Sequence, residues 1–154
     1  MKKSLLFLAA LIIFAIKGWG QPIPGNPVIT INPAATTPDE TTVDVDITAS
    51  DFSDVGSLSL TLTYNSAALQ NPTIVFLHPD LITWGTFEAN LALADTITVS
   101  AMDPNLEEPY DGITLEDGDI IFTIQFEIGT ITDFTSVAFY ENSEGTSCEI
   151  TGIA

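Results

Sequence analysis

The sequence predicts an all-β protein built as a sandwich of about nine short strands. Apolar and polar residues alternate with a period of two over most of the chain beyond residue 27. Turn-forming residues punctuate that alternation at short intervals, as in Asp103-Pro104-Asn105, Asp111-Gly112, Asp117-Gly118 and Glu144-Gly145. No stretch shows a helical period. An apolar content of 45% supplies a core for one domain and separates this acidic chain from disordered ones.

Taken in order, Val28 to Ile31 is a short first strand, broken by Asn32-Pro33. Thr41 to Thr48 sets Val43, Val45 and Ile47 on one face and Asp44, Asp46 and Thr48 on the other. Ser57 to Tyr64 alternates most clearly, with Leu58, Leu60, Leu62 and Tyr64 opposite Ser57, Ser59, Thr61 and Thr63. Thr73 to Leu77, Leu81 to Phe87 and Leu91 to Met102 continue the series. Asp119 to Ile128 places Ile120, Phe122, Ile124, Phe126 and Ile128 toward the core, and Ile121, Thr123, Gln125 and Glu127 away from it. Thr135 to Tyr140 and Ser147 to Ile153 complete the nine.

The first twenty residues differ in kind. Lys2 and Lys3 precede an apolar run from Leu5 to Ile16, and small residues follow at Gly18 and Gly20. This is the pattern of a secretory signal peptide spanning residues 1–20, with a run shorter than the roughly 20 residues of a membrane-spanning helix. Residues 21–27 hold three prolines and read as an extended linker, leaving 28–154 as the folded domain. All three cationic residues, Lys2, Lys3 and Lys17, lie in the signal segment, so the formal charge of −18 becomes −21 once it is removed. A surface without Lys or Arg excludes nucleic acid and anionic membranes as partners, since both are bound through cations.

Few residues are suited to catalysis. His78, the only histidine, sits in the turn Leu77-His78-Pro79-Asp80 with no nucleophile motif around it. Cys148 is the single cysteine and reads as a small buried residue of a late strand. Zinc lacks ligands and no Gly-rich phosphate loop is present. The expectation is a binding protein without a required cofactor. Calcium is the one possible metal, through Asp103, Glu107, Glu108 and Asp111 in a Pro-bounded loop, with Glu116, Asp117 and Asp119 around Gly118 as a second acidic turn. The alternative for both is a solvated acidic loop. Trp84, Phe87, Tyr110 and Tyr140 are candidates for a sugar-stacking platform, Trp84 and Tyr110 foremost, and packing within the sandwich is the alternative.

The run Gly56-Ser-Leu-Ser-Leu-Thr-Leu-Thr-Tyr64-Asn65-Ser-Ala-Ala-Leu69 resembles the third-strand signature of cohesin domains, in which an alternating strand ends in Tyr-Asp and a short turn to Leu. Gly118-Asp-Ile-Ile-Phe-Thr-Ile-Gln-Phe126 is similar to a late cohesin strand, and the turn Thr37-Pro38-Asp39-Glu40 before the strand from Val43 to Ile47 fits as well. The resemblance implies a nine-stranded jelly-roll sandwich, shared with a superfamily of carbohydrate-binding modules. It also implies a dockerin-type protein partner in an extracellular polysaccharide-degrading or cell-surface assembly. By position it assigns partner binding to Ser57, Ser59, Thr61, Thr63 and Asn65, with Asn65 standing where the family usually carries Asp. Three readings follow: a secreted module binding a protein partner, a module binding polysaccharide, and a structural adhesion domain. One consequence holds for all three. Self-repulsion among uncompensated carboxylates is screened over a Debye length of about 8 Å at physiological salt and about 3 Å at 1 M. The melting temperature is therefore expected to rise with NaCl, and a calorimetric series in salt checks this.

Overall fold

The computed structural model describes residues 27–37, 39–103, 112–129, 135–140 and 148–152. The expected signal segment 1–20 and residues 21–26 of the expected linker lie outside them, whereas Pro27 is already buried. Nine strands and one short helix are present among the described residues: β1 (Val28–Ile31), β2 (Thr42–Ser50), β3 (Val55–Tyr64), β4 (Leu69–Leu77), α1 (Pro79–Trp84), β5 (Thr86–Asn90), β6 (Thr96–Met102), β7 (Ile120–Ile128), β8 (Val137–Phe139) and β9 (Glu149–Gly152).

The strands form two antiparallel sheets, one ordered β1-β2-β7-β4 and the other β5-β6-β3-β8 with β9 also paired to β3. Only β1 with β2 and β5 with β6 join consecutive strands, as in a jelly roll, so the chain passes repeatedly between sheets. The inward residues of both sheets meet in one core that includes Val45 and Ile47 of β2, Leu58, Leu60 and Leu62 of β3, Ile97 and Val99 of β6, and Phe122, Ile124 and Phe126 of β7. Alternation places them there, because every second residue of a strand faces the same side.

Strands β8 and β9 share one edge of β3 end to end. Leu62 pairs with Phe139 and Ser59 with Glu149, so three steps along β3 correspond to ten along the partner edge. Cys148, buried as expected, stands at this break: its Sγ lies 3.4 Å from the Thr61 N–H and 3.6 Å from the carbonyls of Thr61 and Tyr140. A thiol thus meets backbone polar groups where the strand ladder is interrupted.

Several expectations change. Leu81 to Phe87 is not a strand. It divides into α1, which carries the chain from one sheet to the other, and β5. His78 caps the helix by accepting the Asp80 N–H at Nδ1 (3.3 Å), Pro79 occupies the first turn and Gly85 follows its end. Leu81 is buried and Trp84, three residues on, packs against the same core, which is the spacing of one helical face. Leu91 to Met102 is not one strand either, since an Asn90 side-chain bond to the Ala92 N–H and a left-handed Asp95 (φ 61°) make a turn before β6. Finally, β7 is buried on both faces at its start. Ile121 is as buried as Phe122, because the register shifts beside Thr48 and the β4–α1 corner closes over it through the His78 N–H to Ile121 O bond (2.9 Å). Thr123, 6% exposed, meets the requirement of a buried hydroxyl by donating to Asp46 (2.7 Å).

At the other end, β4 begins at Leu69, earlier than Thr73, because the Asn65 carbonyl accepts the Ala68 and Leu69 N–H groups and reverses the chain at once. Pro72 is accommodated on this edge strand by a register shift between Gln70 and Thr73, with Asn71 at φ 47°. Asp95 ties the turn to the β6 strand: its carbonyl accepts the Tyr64 N–H and its carboxylate the Ser66 N–H at 2.8 Å.

Phe126 is fully buried with its ring 5.2 Å from that of Tyr64, so Phe126→Ala is expected to cost about 3–5 kcal/mol, measurable by urea unfolding. The Ser66 side chain and backbone N–H hold the Asp95 carboxyl below the usual carboxylate range. A folded pKa below the unfolded one favours the fold above the ordinary Asp range, and that contribution disappears as pH falls through the lowered value. Asp95→Asn keeps an acceptor and tolerates the left-handed conformation, so its urea midpoint should fall less than that of the parent between neutral pH and about pH 3.

Candidate partner-binding face

The outward side of the β5-β6-β3-β8/β9 sheet is where the candidate residues gather. Ser57, Ser59, Thr61 and Thr63 leave β3 opposite its buried Leu residues, with Ser59 exposed and the other three half-buried. Direct cross-strand partners in an antiparallel pair point to the same side, so register identifies the neighbours. Ser57 faces Met102 and Thr151, Ser59 faces Ser100 and Glu149, Thr61 faces Thr98, and Thr63 faces Thr96 and Ala138. On the far side of β6, Thr86, Glu88 and Asn90 of β5 align with Met102, Ser100 and Thr98. The result is a face of small hydroxyl side chains crossing three neighbouring strands.

Some hydroxyls are engaged within the sheet. The Ser57 and Thr151 hydroxyls lie 2.6 Å apart, and Thr63 Oγ1 donates to Ala138 O at 3.4 Å. Each serine or threonine oxygen also has further lone pairs, so the face retains capacity to accept and donate. Asn65 does not join it. Its Oδ1 accepts the Ala67 N–H (3.0 Å), which makes it a turn residue at the end of β3.

The contributions of β6 and β9 were absent from the sequence-based set. The signal for β6 is present in Thr96-Ile97-Thr98-Val99-Ser100-Ala101, whose alternation matches that of β3. That β6 lies beside β3 is a long-range pairing without a local signature.

The other candidates separate from this face or lie outside the described residues. Trp84 is half-buried against the core, and the Phe87 ring packs 5.9 Å from that of Phe122, so neither stands in an exposed stacking platform. Tyr140 is 47% exposed and donates its backbone N–H to Thr61 O, while Tyr110 is outside the described residues. Of the proposed calcium ligands, Asp103 follows β6, and Glu107, Glu108 and Asp111 are not among the described residues. No group of three or more His, Cys, Asp or Glu side chains gathers to hold a metal among the described residues. In the second acidic turn, Asp119 accepts the Glu116 N–H (2.9 Å) and Asp117 the Asp51 N–H (2.8 Å), around Gly118 at φ 91°. Those carboxylates close a turn. His78, in turn, has its Nε2 3.7 Å from Asp119 and no nucleophile among its described hydrogen-bond partners.

No protein-family model matches the chain, and no curated protein matches its sequence. Solved structures do match it. The second type II cohesin module from the cellulosomal adaptor ScaA scaffoldin of Acetivibrio cellulolyticus aligns with a TM-score of 0.59 at 11% identity, covering 79% of this chain and 81% of that one. The cohesin of a type I cohesin–dockerin complex from Clostridium thermocellum aligns at 0.58 and 13% identity, over 83% and 99% of the two chains. The sixth cohesin of scaffoldin B from Acetivibrio cellulolyticus, solved in complex with a Cel5 dockerin, aligns at 0.53 and 15%, over 80% and 96%. With two sheets, nine strands and this alignment over about four-fifths of its length, the chain has the fold of cohesin modules.

Proposed function

We propose that this chain is a secreted, non-catalytic binding module that takes a protein partner of the dockerin type on the hydroxyl face of β5, β6, β3 and the β8/β9 edge. The observation that carries this reading is the face itself. Small Ser and Thr side chains continue across β6, β3 and β9, and none of the described elements covers them. Short polar side chains let a partner's backbone approach closely and offer both donors and acceptors to it. The cohesin fold supports the same reading, because two of the similar structures are cohesins solved with dockerins. The amino-terminal pattern supports export, and no helix of the described residues is long and apolar enough to cross a membrane. Polysaccharide binding has less support, as Trp84 packs inward.

Surface plasmon resonance with immobilised dockerin modules, including those of the two complexes above, tests the assignment. The protein should bind at least one of them. Ser59→Arg combined with Ser100→Arg should weaken that binding at least about tenfold, since two long charged side chains would fill the centre of the face. The variant should still unfold in a single cooperative thermal transition, because both positions are exposed. Binding that is indifferent to the double substitution would place the partner elsewhere on the molecule.

A further inference from the structure

One row of the hydroxyl face differs from its neighbours. Register aligns Glu88 of β5 with Ser100 of β6, Ser100 with Ser59 of β3, and Ser59 with Glu149 of β9. All four side chains are exposed, so a carboxylate stands at each end of a row with two hydroxyls between. Three inter-strand steps of about 4.8 Å set the two glutamates roughly 15 Å apart. The rows on either side, Thr86-Met102-Ser57-Thr151 and Asn90-Thr98-Thr61, carry no charge.

We infer that this row reads the charge of the partner: the face takes a protein surface that presents two Lys or Arg side chains about 15 Å apart, one to Glu88 and one to Glu149, across the two serines. The inference rests on the reading of the face as a protein-binding surface. Charge complementarity supplies the argument. The sequence holds 21 acidic residues and no Lys or Arg beyond Lys17, so neither a second copy of the domain nor another segment of it brings a Lys or Arg to these carboxylates. A second copy would set glutamate against glutamate, and a nucleic acid would set phosphate there. The carboxylates of the opposite sheet are engaged differently, Asp44 by Gln125 and Asp46 by Thr123 within the fold. Paired acids flanking small hydroxyls also act as a selection device, because a partner with acidic groups at either position is repelled.

The test uses two helical peptides of identical Ala, Gln and Lys composition. One places two lysines eleven residues apart, three turns and about 16.5 Å along one face; the other places them four residues apart, about 6 Å. Each is titrated into the isotopically labelled protein and followed by amide chemical shifts. The wide-spaced peptide should shift Glu88, Ser100, Ser59 and Glu149 and bind at least about threefold more tightly than the other. Glu88→Gln with Glu149→Gln should remove that difference. Asp39→Asn with Asp44→Asn, an equal change of net charge outside the face, should leave it intact. Equal affinity for both peptides, shifts centred elsewhere, or a preference that survives in the glutamate variant would each overturn the inference. The dockerin assay fails or succeeds independently: a dockerin that binds through Ser59 and Ser100 with unchanged affinity for Glu88→Gln, Glu149→Gln protein overturns the charge reading alone.

Discussion

Pairing on both edges holds β3 to strict alternation from Ser57 to Tyr64, and most of the molecule follows from that. With β6 on one side and β8 and β9 on the other, its backbone polar groups find ladder partners except where Thr61 meets Cys148, and its side chains divide between two environments. Leu58, Leu60, Leu62 and Tyr64 enter the core, where Tyr64 meets Phe126 of the facing sheet. Ser57, Ser59, Thr61 and Thr63 are thereby sent to the opposite face. A slip of one residue would expose the leucines and bury the hydroxyls, so the core and the candidate binding surface are set by a single register.

A second constraint is the lack of cations. Beyond Lys17 no Lys or Arg is present to pair the acidic residues, and the fold answers with neutral donors. Gln125 reaches Asp44, Thr123 reaches Asp46 and Asn71 reaches Glu127 across the β1-β2-β7-β4 sheet. Backbone N–H groups serve Glu40, Asp95, Asp117 and Asp119 at turns. Hydrogen bonds to ionised carboxylates are stronger than neutral ones, and turn N–H groups would otherwise rely on water. The acidity is therefore partly structural. Glu88 and Glu149 stand apart in this scheme, exposed on the face proposed for a partner.

Likeness to cohesin modules at 11 to 15% identity illustrates how little of a sandwich's sequence its architecture needs. Alternation, turn positions and a packed interior are satisfied by many side chains of similar volume. The outward face has no such obligation to the fold. Its side chains face solvent in place of the core, and in this chain they are hydroxyls and glutamates.

Much of the architecture was legible in the sequence, because a period of two is a local property. The strands near Val28, Thr42, Ser57 and Ile120 could each be read from a few neighbouring residues, as could the inward face of β3. What escaped was short or non-local. Six residues of α1 span under two helical turns, too few to display a period, and only its His78 cap and Pro79 marked it. The double burial of Ile121 depends on a corner brought in from β4, and the turn before β6 depends on the Asn90 side chain bonding to backbone. The sequence by itself determined that Ser57, Ser59, Thr61 and Thr63 share one side of a strand. Only the tertiary structure decided that β6 and β5 flank them and that β9 carries Glu149 alongside Ser59, because strand pairing joins residues far apart in the chain and no local pattern encodes the partner.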